Sequence, residues 1–106
     1  MKVIKYNKLI RDKIPEIIES SGKTAQFETM TDEEYLLAID QKMDEELAEY
    51  HQDQTVEELA DLMEVIYAAA KARGCSEDEL NSIRDKKKEE RGGFEKKLRL
   101  IEVREA

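Results

Sequence analysis

The sequence predicts an all-α fold: a helical bundle around a central antiparallel helix pair, with short extended arms at the N- and C-terminal ends. Three observations carry this expectation. The 106 residues hold only Gly 4 and Pro 1, so few positions interrupt a helix. Three Ser/Thr-x-x-Glu boxes, at Thr31–Glu34, Thr55–Glu58 and Ser76–Glu79, mark helix starts. Between them, apolar residues recur at the three- and four-residue spacing of a helix face. The length suits one domain, residues 1–106, without a linker.

Residues 1–13 are basic and show no period. Pro15 suits a first helical turn, and Ile14, Ile17 and Ile18 follow at helical spacing until Gly22 stops the helix. Residues 26–30 could form a short extended piece. The box at Thr31 opens a helix expected to reach about His51, with the stripe Leu36, Ile39, Met43, Leu47 and Tyr50. After a turn at Asp53-Gln54, the box at Thr55 opens a helix to about Arg73, stopped by Gly74. Its main stripe is Val56, Leu59, Met63, Ile66 and Ala70, with a second apolar flank of Val65, Ala68, Ala69 and Ala72. The third box opens a helix through about Glu90, and Gly92-Gly93 breaks it. The tail from Phe94 to Val103 alternates partly, as a short strand or an extended arm would.

Charged residues make up 42% of the chain and the net charge is -8, which disfavours nucleic acid and anionic membranes as partners. No run approaches the ~20 apolar residues of a membrane span. No signal peptide is visible, and a single cysteine, Cys75, fits a reducing cytoplasm. Cys75 and the lone His51 lack partners at catalytic or ligand spacing. Neither a dinucleotide fingerprint nor a P-loop is present.

The chemistry-bearing pattern is acidic. Glu45-Glu46-Leu-Ala-Glu49 precedes Glu58-Leu-Ala-Asp61. Carboxylates three residues apart lie one turn apart on a helix face and repel by a few tenths of a kcal/mol. At about 100° per residue, Glu46 and Glu49 share a flank and Glu45 turns outward. Glu58 and Asp61 lie beside the next helix's stripe, and Glu57 turns outward. A tight antiparallel turn brings the two motifs together, so Glu46, Glu49, Glu58 and Asp61 could converge on a hard divalent cation. Charge runs are also commonly solvated faces, and spacing alone does not separate the two. Lys42, one turn before Glu46, suits an i,i+4 salt bridge better than a phosphate contact on spacing alone. Lys86, Lys87, Lys88 and Arg91 before the glycine pair favour the helix dipole and could also meet an anion.

With those residues in view, the chain resembles the MazG-like all-α nucleoside triphosphate pyrophosphohydrolases, relatives of phosphoribosyl-ATP pyrophosphohydrolase and the dimeric dUTPases. Glu45-Glu46-x-x-Glu49 and Glu58-x-x-Asp61 match the EExxE and ExxD marks of that superfamily. Tyr6-Asn-Lys-Leu-Ile-Arg11-Asp12-Lys13-Ile-Pro15 and Arg91-Gly92-Gly93-Phe94 look like the ends of a small single-domain branch. Only residues 50 to 57 separate the two acidic motifs, a shorter gap than the family's. The resemblance implies Mg²⁺, or Mn²⁺, on Glu46, Glu49, Glu58 and Asp61, with Glu49 shared between metal and attacking water. It implies cleavage of a nucleoside triphosphate to monophosphate and pyrophosphate, in a homodimer or homotetramer. Lys42, Lys87 and Arg91 would then hold phosphates, with Arg11 and Lys13 as supplements. The alternatives are phosphoribosyl-ATP hydrolysis and a non-catalytic helical module that senses nucleotides.

Overall fold

A computed structural model describes residues 2–105. Its helices follow the sequence signals in order: α1 (Ile14–Ser20), α2 (Asp32–Asp53), α3 (Val56–Ala72) and α4 (Glu77–Arg91). Strands are absent among the described residues, so the fold is all-α. Residues 26–30 and the tail are irregular or extended without a strand partner.

The caps explain the boundaries. Thr31 accepts from the Glu34 N–H, and the Glu34 side chain accepts from the Thr31 N–H, completing the reciprocal box of α2. Thr55 and Ser76 accept from the N–H groups of Glu58 and Glu79. α2 runs to Asp53, two residues past the expected end, because Gln54 closes it in the left-handed conformation with φ 53°. Its N–H still reaches the Tyr50 carbonyl at 2.7 Å. Thr55 is already the N-cap of α3. Helix extension thus absorbs most of the short gap between the acidic motifs, and two residues suffice for the turn.

α2 and α3 pack as an antiparallel hairpin, and α4 packs on α3. Tyr67 on α3 donates a 3.2 Å hydrogen bond to the Asn81 side chain on α4. The hairpin seam contains the only apolar side chains among the described residues that are buried, Ile39 on α2 and Val65 on α3. Leu36, Met43 and Tyr50 extend it along α2, half-buried as expected, whereas Leu47 of the same expected stripe is 41% exposed. On α3 the expected order of faces is reversed. The half-buried positions are Glu58, Asp61, Leu62, Tyr67, Ala68, Ala69, Ala70 and Ala72, flanking buried Val65. Of the stripe expected to dominate, Val56, Leu59, Met63 and Ile66 stay 76%, 40%, 46% and 39% exposed, and only Ala70 is half-buried. Small alanines let α2 approach closely along the flank, whereas the larger residues of the stripe are only partly covered in one chain.

α1 packs closely against no other helix. The radius of gyration is 18.8 Å, against about 13 Å for a compact domain of this size.

Candidate metal and phosphate site

The acidic motifs meet at the connected end of the hairpin. Glu46 has carboxylate oxygens close to two groups of acids: Glu45 and Glu49 on its own helix, and Glu58 and Asp61 on α3. Within each group, one oxygen per residue lies within 4.8 Å of the others. Donors around one Mg²⁺ at 2.0–2.1 Å are at most about 4.2 Å apart. Small side-chain rotations therefore close either group on an ion.

Glu46 is the pivot. It is the one charged residue buried among those described, at 7% exposure. Lys42 meets its Oε1 at 3.2 Å. Its Oε2 is fully enclosed and has no hydrogen-bond donor, and Glu58 Oε2 shares that condition. An enclosed carboxylate oxygen without a donor is costly, and a cation removes the cost. All candidate ligands are oxygens, the donor set of a hard divalent ion.

The electrostatics record the crowding. A hydrogen bond with Glu46 raises the Glu49 pKa, assisted by burial and by the charges of Glu46, Glu58 and Glu45. Burial raises that of Glu58, followed by the charges of Asp53, Asp61 and Glu46. Glu45 moves the other way, because the Lys8 ammonium donates a hydrogen bond to it. In the metal-free cluster, some acids thus hold protons more tightly while others are neutralised by cations.

Those cations correct the sequence projection. Glu45 does not turn away to solvent. Its Oε1 lies 2.6 Å from Lys8 Nζ and its Oε2 lies 3.3 Å from Lys42 Nζ. Arg11 Nη2 lies 2.9 Å from Asp61 Oδ1 on α3. Lys42 makes the salt bridge its spacing suggested, and it also lines the open cleft of about 280 Å³ above the cluster. Ile10, Ile14, Lys8 and Arg11 form the other wall. Lys8 was absent from the sequence candidates. Its only signal was its place in the basic stretch of residues 1–13, which has no period to project.

The remaining candidates stand apart. Lys13 is exposed at the N-cap of α1 and does not line the cleft. Lys87 and Arg91 are exposed on α4, which packs on α3 without lining the cleft. Arg91 is in the last turn of α4, where the dipole favours it.

Comparison with known proteins adds little to this geometry. An uncharacterized protein of Mycolicibacterium smegmatis is 54% identical over 41 residues, which is 39% of this chain and 42% of that protein. The chain therefore matches less than half the length of this relative. No family model matches, and no solved structure does.

Proposed function

We propose that this protein is a metal-dependent nucleotide pyrophosphohydrolase, cleaving a nucleoside triphosphate to monophosphate and pyrophosphate in the cytoplasm and removing noncanonical nucleotides. The observation that carries the proposal is the enclosed, donor-free Oε2 of Glu46 among converging carboxylates from two helices. Glu46, Glu49, Glu58 and Asp61 would hold Mg²⁺ or Mn²⁺, with Glu45 at the edge. A bound Mg²⁺ supplies charge neutralisation of phosphate oxygens and a lowered pKa for water.

The chain's own residues divide the rest of the work. Lys42, Lys8 and Arg11 offer donors to phosphate oxygens from the cleft wall. Glu49, beside Glu46, would take a proton from an attacking water. At about 280 Å³ the cleft lies below the roughly 300–1,000 Å³ of pockets that enclose drug-sized ligands. It suits a phosphate chain, so the nucleoside needs a further wall.

A second copy of the chain is the natural source of that wall. The accessible surface is 10055 Å², against about 6,100 Å² expected for a folded monomer of this mass. The extended arms contribute part of the excess, and the open Leu59–Met63–Ile66 stripe contributes another part. Obligate homodimers bury about 2,000–5,000 Å² in total, about 1,000–2,500 Å² per chain, so one such interface would remove part of the excess. Lys87 and Arg91 would reach phosphates only in such an assembly.

The test is pyrophosphate release from a nucleotide panel with Mg²⁺, comparing wild type with Glu46→Gln and Asp61→Asn. The expected result is release by wild type from at least one triphosphate, reduced about 100-fold or more in each variant. Release no greater than the variants' background for every nucleotide defeats the enzyme reading.

A further inference from the structure

The N-terminal segment reaches the acidic cluster by charge rather than by core packing. Asn7, in the left-handed conformation at φ 49°, turns the backbone just before Lys8. Leu9, Ile10 and Ile14 are half-buried, while Lys8, Arg11 and Lys13 remain exposed. Lys8 and Arg11, three residues apart, then grip different helices. Lys8 holds Glu45 on α2 at 2.6 Å, and Arg11 holds Asp61 on α3 at 2.9 Å. Both acids belong to the groups that converge on Glu46. Both ion pairs are partly open to water, the Arg11–Asp61 pair at 56% and 44% side-chain exposure. Pairs this open are weak and screened. α1 itself packs closely on no other helix.

Resting on the metal-site reading above, we propose that residues 7–14 form a cationic strap that exchanges partners: Lys8 and Arg11 neutralise Glu45 and Asp61 when the metal is away, and turn to the oxygens of a metal-bound polyphosphate when it is present. The Arg11 guanidinium beside Asp61 offsets the negative charge that a cation would meet there, so the strap competes electrostatically with free metal. The guanidinium of Arg11 is a planar fork that matches phosphate as well as carboxylate. Once released, it needs only a side-chain rotation to face the cleft it already lines. The strap therefore opposes binding of bare metal and favours binding of metal together with phosphate, which makes the site selective for the loaded substrate.

The two roles have opposite signs, and that is what an experiment can read. Isothermal titration is run with Mg²⁺ alone, and then with Mg²⁺ plus imidodiphosphate, whose bridging NH resists hydrolysis. Arg11→Gln and Lys8→Gln are compared with wild type, with Lys5→Gln as a control for general loss of positive charge. Arg11→Gln is expected to tighten Mg²⁺ binding about two- to fivefold and to weaken Mg²⁺–imidodiphosphate binding by about tenfold. Lys8→Gln is expected to shift both in the same senses by less. Shifts of one sign for both ligands, or shifts no larger than those of Lys5→Gln, overturn the strap. If wild type binds Mg²⁺, Glu46→Gln abolishes that binding and the strap variants match wild type, the metal site stands and the strap alone falls. If wild type binds neither Mg²⁺ nor Mg²⁺–imidodiphosphate, both fall.

Discussion

The two faces of α3 are both apolar and have different fates. One face, through Leu62, Val65, Ala68, Ala69 and Ala72, lies in the seam with α2 and carries Glu58 and Asp61 at its beginning. The other, through Val56, Leu59, Met63 and Ile66, remains open to water. The covered face is rich in alanine and carries acids, and the open face carries larger residues without acids. A single chain therefore spends its closest packing on positioning the carboxylates and leaves its bulkier hydrophobic surface for another partner.

The largest expected effect follows from breaking the covered side. Ile39 is fully buried in the seam, so Ile39→Ala should cost about 2–5 kcal/mol, read as a lowered urea midpoint at unchanged slope. That cost is a large part of the total stability of a small domain. Met63→Asp on the open face should leave the helix content of the chain unchanged. By light scattering, it should convert a wild-type dimer or tetramer to monomer at micromolar concentration. A wild-type protein that is already monomeric there would mean that the open stripe is tolerated in water.

This contrast also defines what could be read from the sequence. All four helices were legible, because caps and glycines are local signals: Thr31, Thr55, Ser76 and Gly74 act within one turn of themselves. The convergence of Glu46, Glu58 and Asp61 was legible because helical spacing and a short turn fix it. Which face of α3 meets α2 was not, since size favours the Leu59–Met63–Ile66 stripe in projection while close approach favours alanine. Glu45 was misplaced for a related reason. Projection follows the helix axis, whereas Lys8, 37 residues away in sequence, supplies the charge that holds Glu45 at the site. Long-range ion pairs leave no periodic trace.

A smaller effect separates the acids themselves by pH. Glu49 and Glu58 have folded pKa values above the ordinary glutamate value of 4.5. Between that value and the raised ones, the folded chain binds more protons than the unfolded chain. Metal-free stability should therefore fall as pH rises through this window. Mg²⁺ needs the same groups deprotonated, so its stabilisation should grow over the same range. Thermal midpoints with and without Mg²⁺ should diverge as pH rises above the ordinary glutamate value, with the metal-free curve sloping down and the gap widening. A gap that is constant across the range would mean that Glu49 and Glu58 are not ligands.

The smallest effect probes the turn that joins the two acidic helices. Gln54 adopts φ 53°, a conformation that costs a side-chain-bearing residue about 1 kcal/mol and glycine nothing. Its N–H bond to the Tyr50 carbonyl is made by the backbone and survives substitution. Gln54→Gly should therefore leave the cap intact and relieve the strain. The greater freedom of glycine in the unfolded chain offsets part of the gain. The net expectation is a stabilisation of about 0.5 kcal/mol or less, read from the urea midpoint. Gln54→Val, β-branched at the same φ, should lose about 1 kcal/mol or more. Because Glu49 and Glu58 flank this turn, the two variants also test whether it sets the cluster: if it does, Gln54→Val weakens Mg²⁺ binding while Gln54→Gly leaves it unchanged.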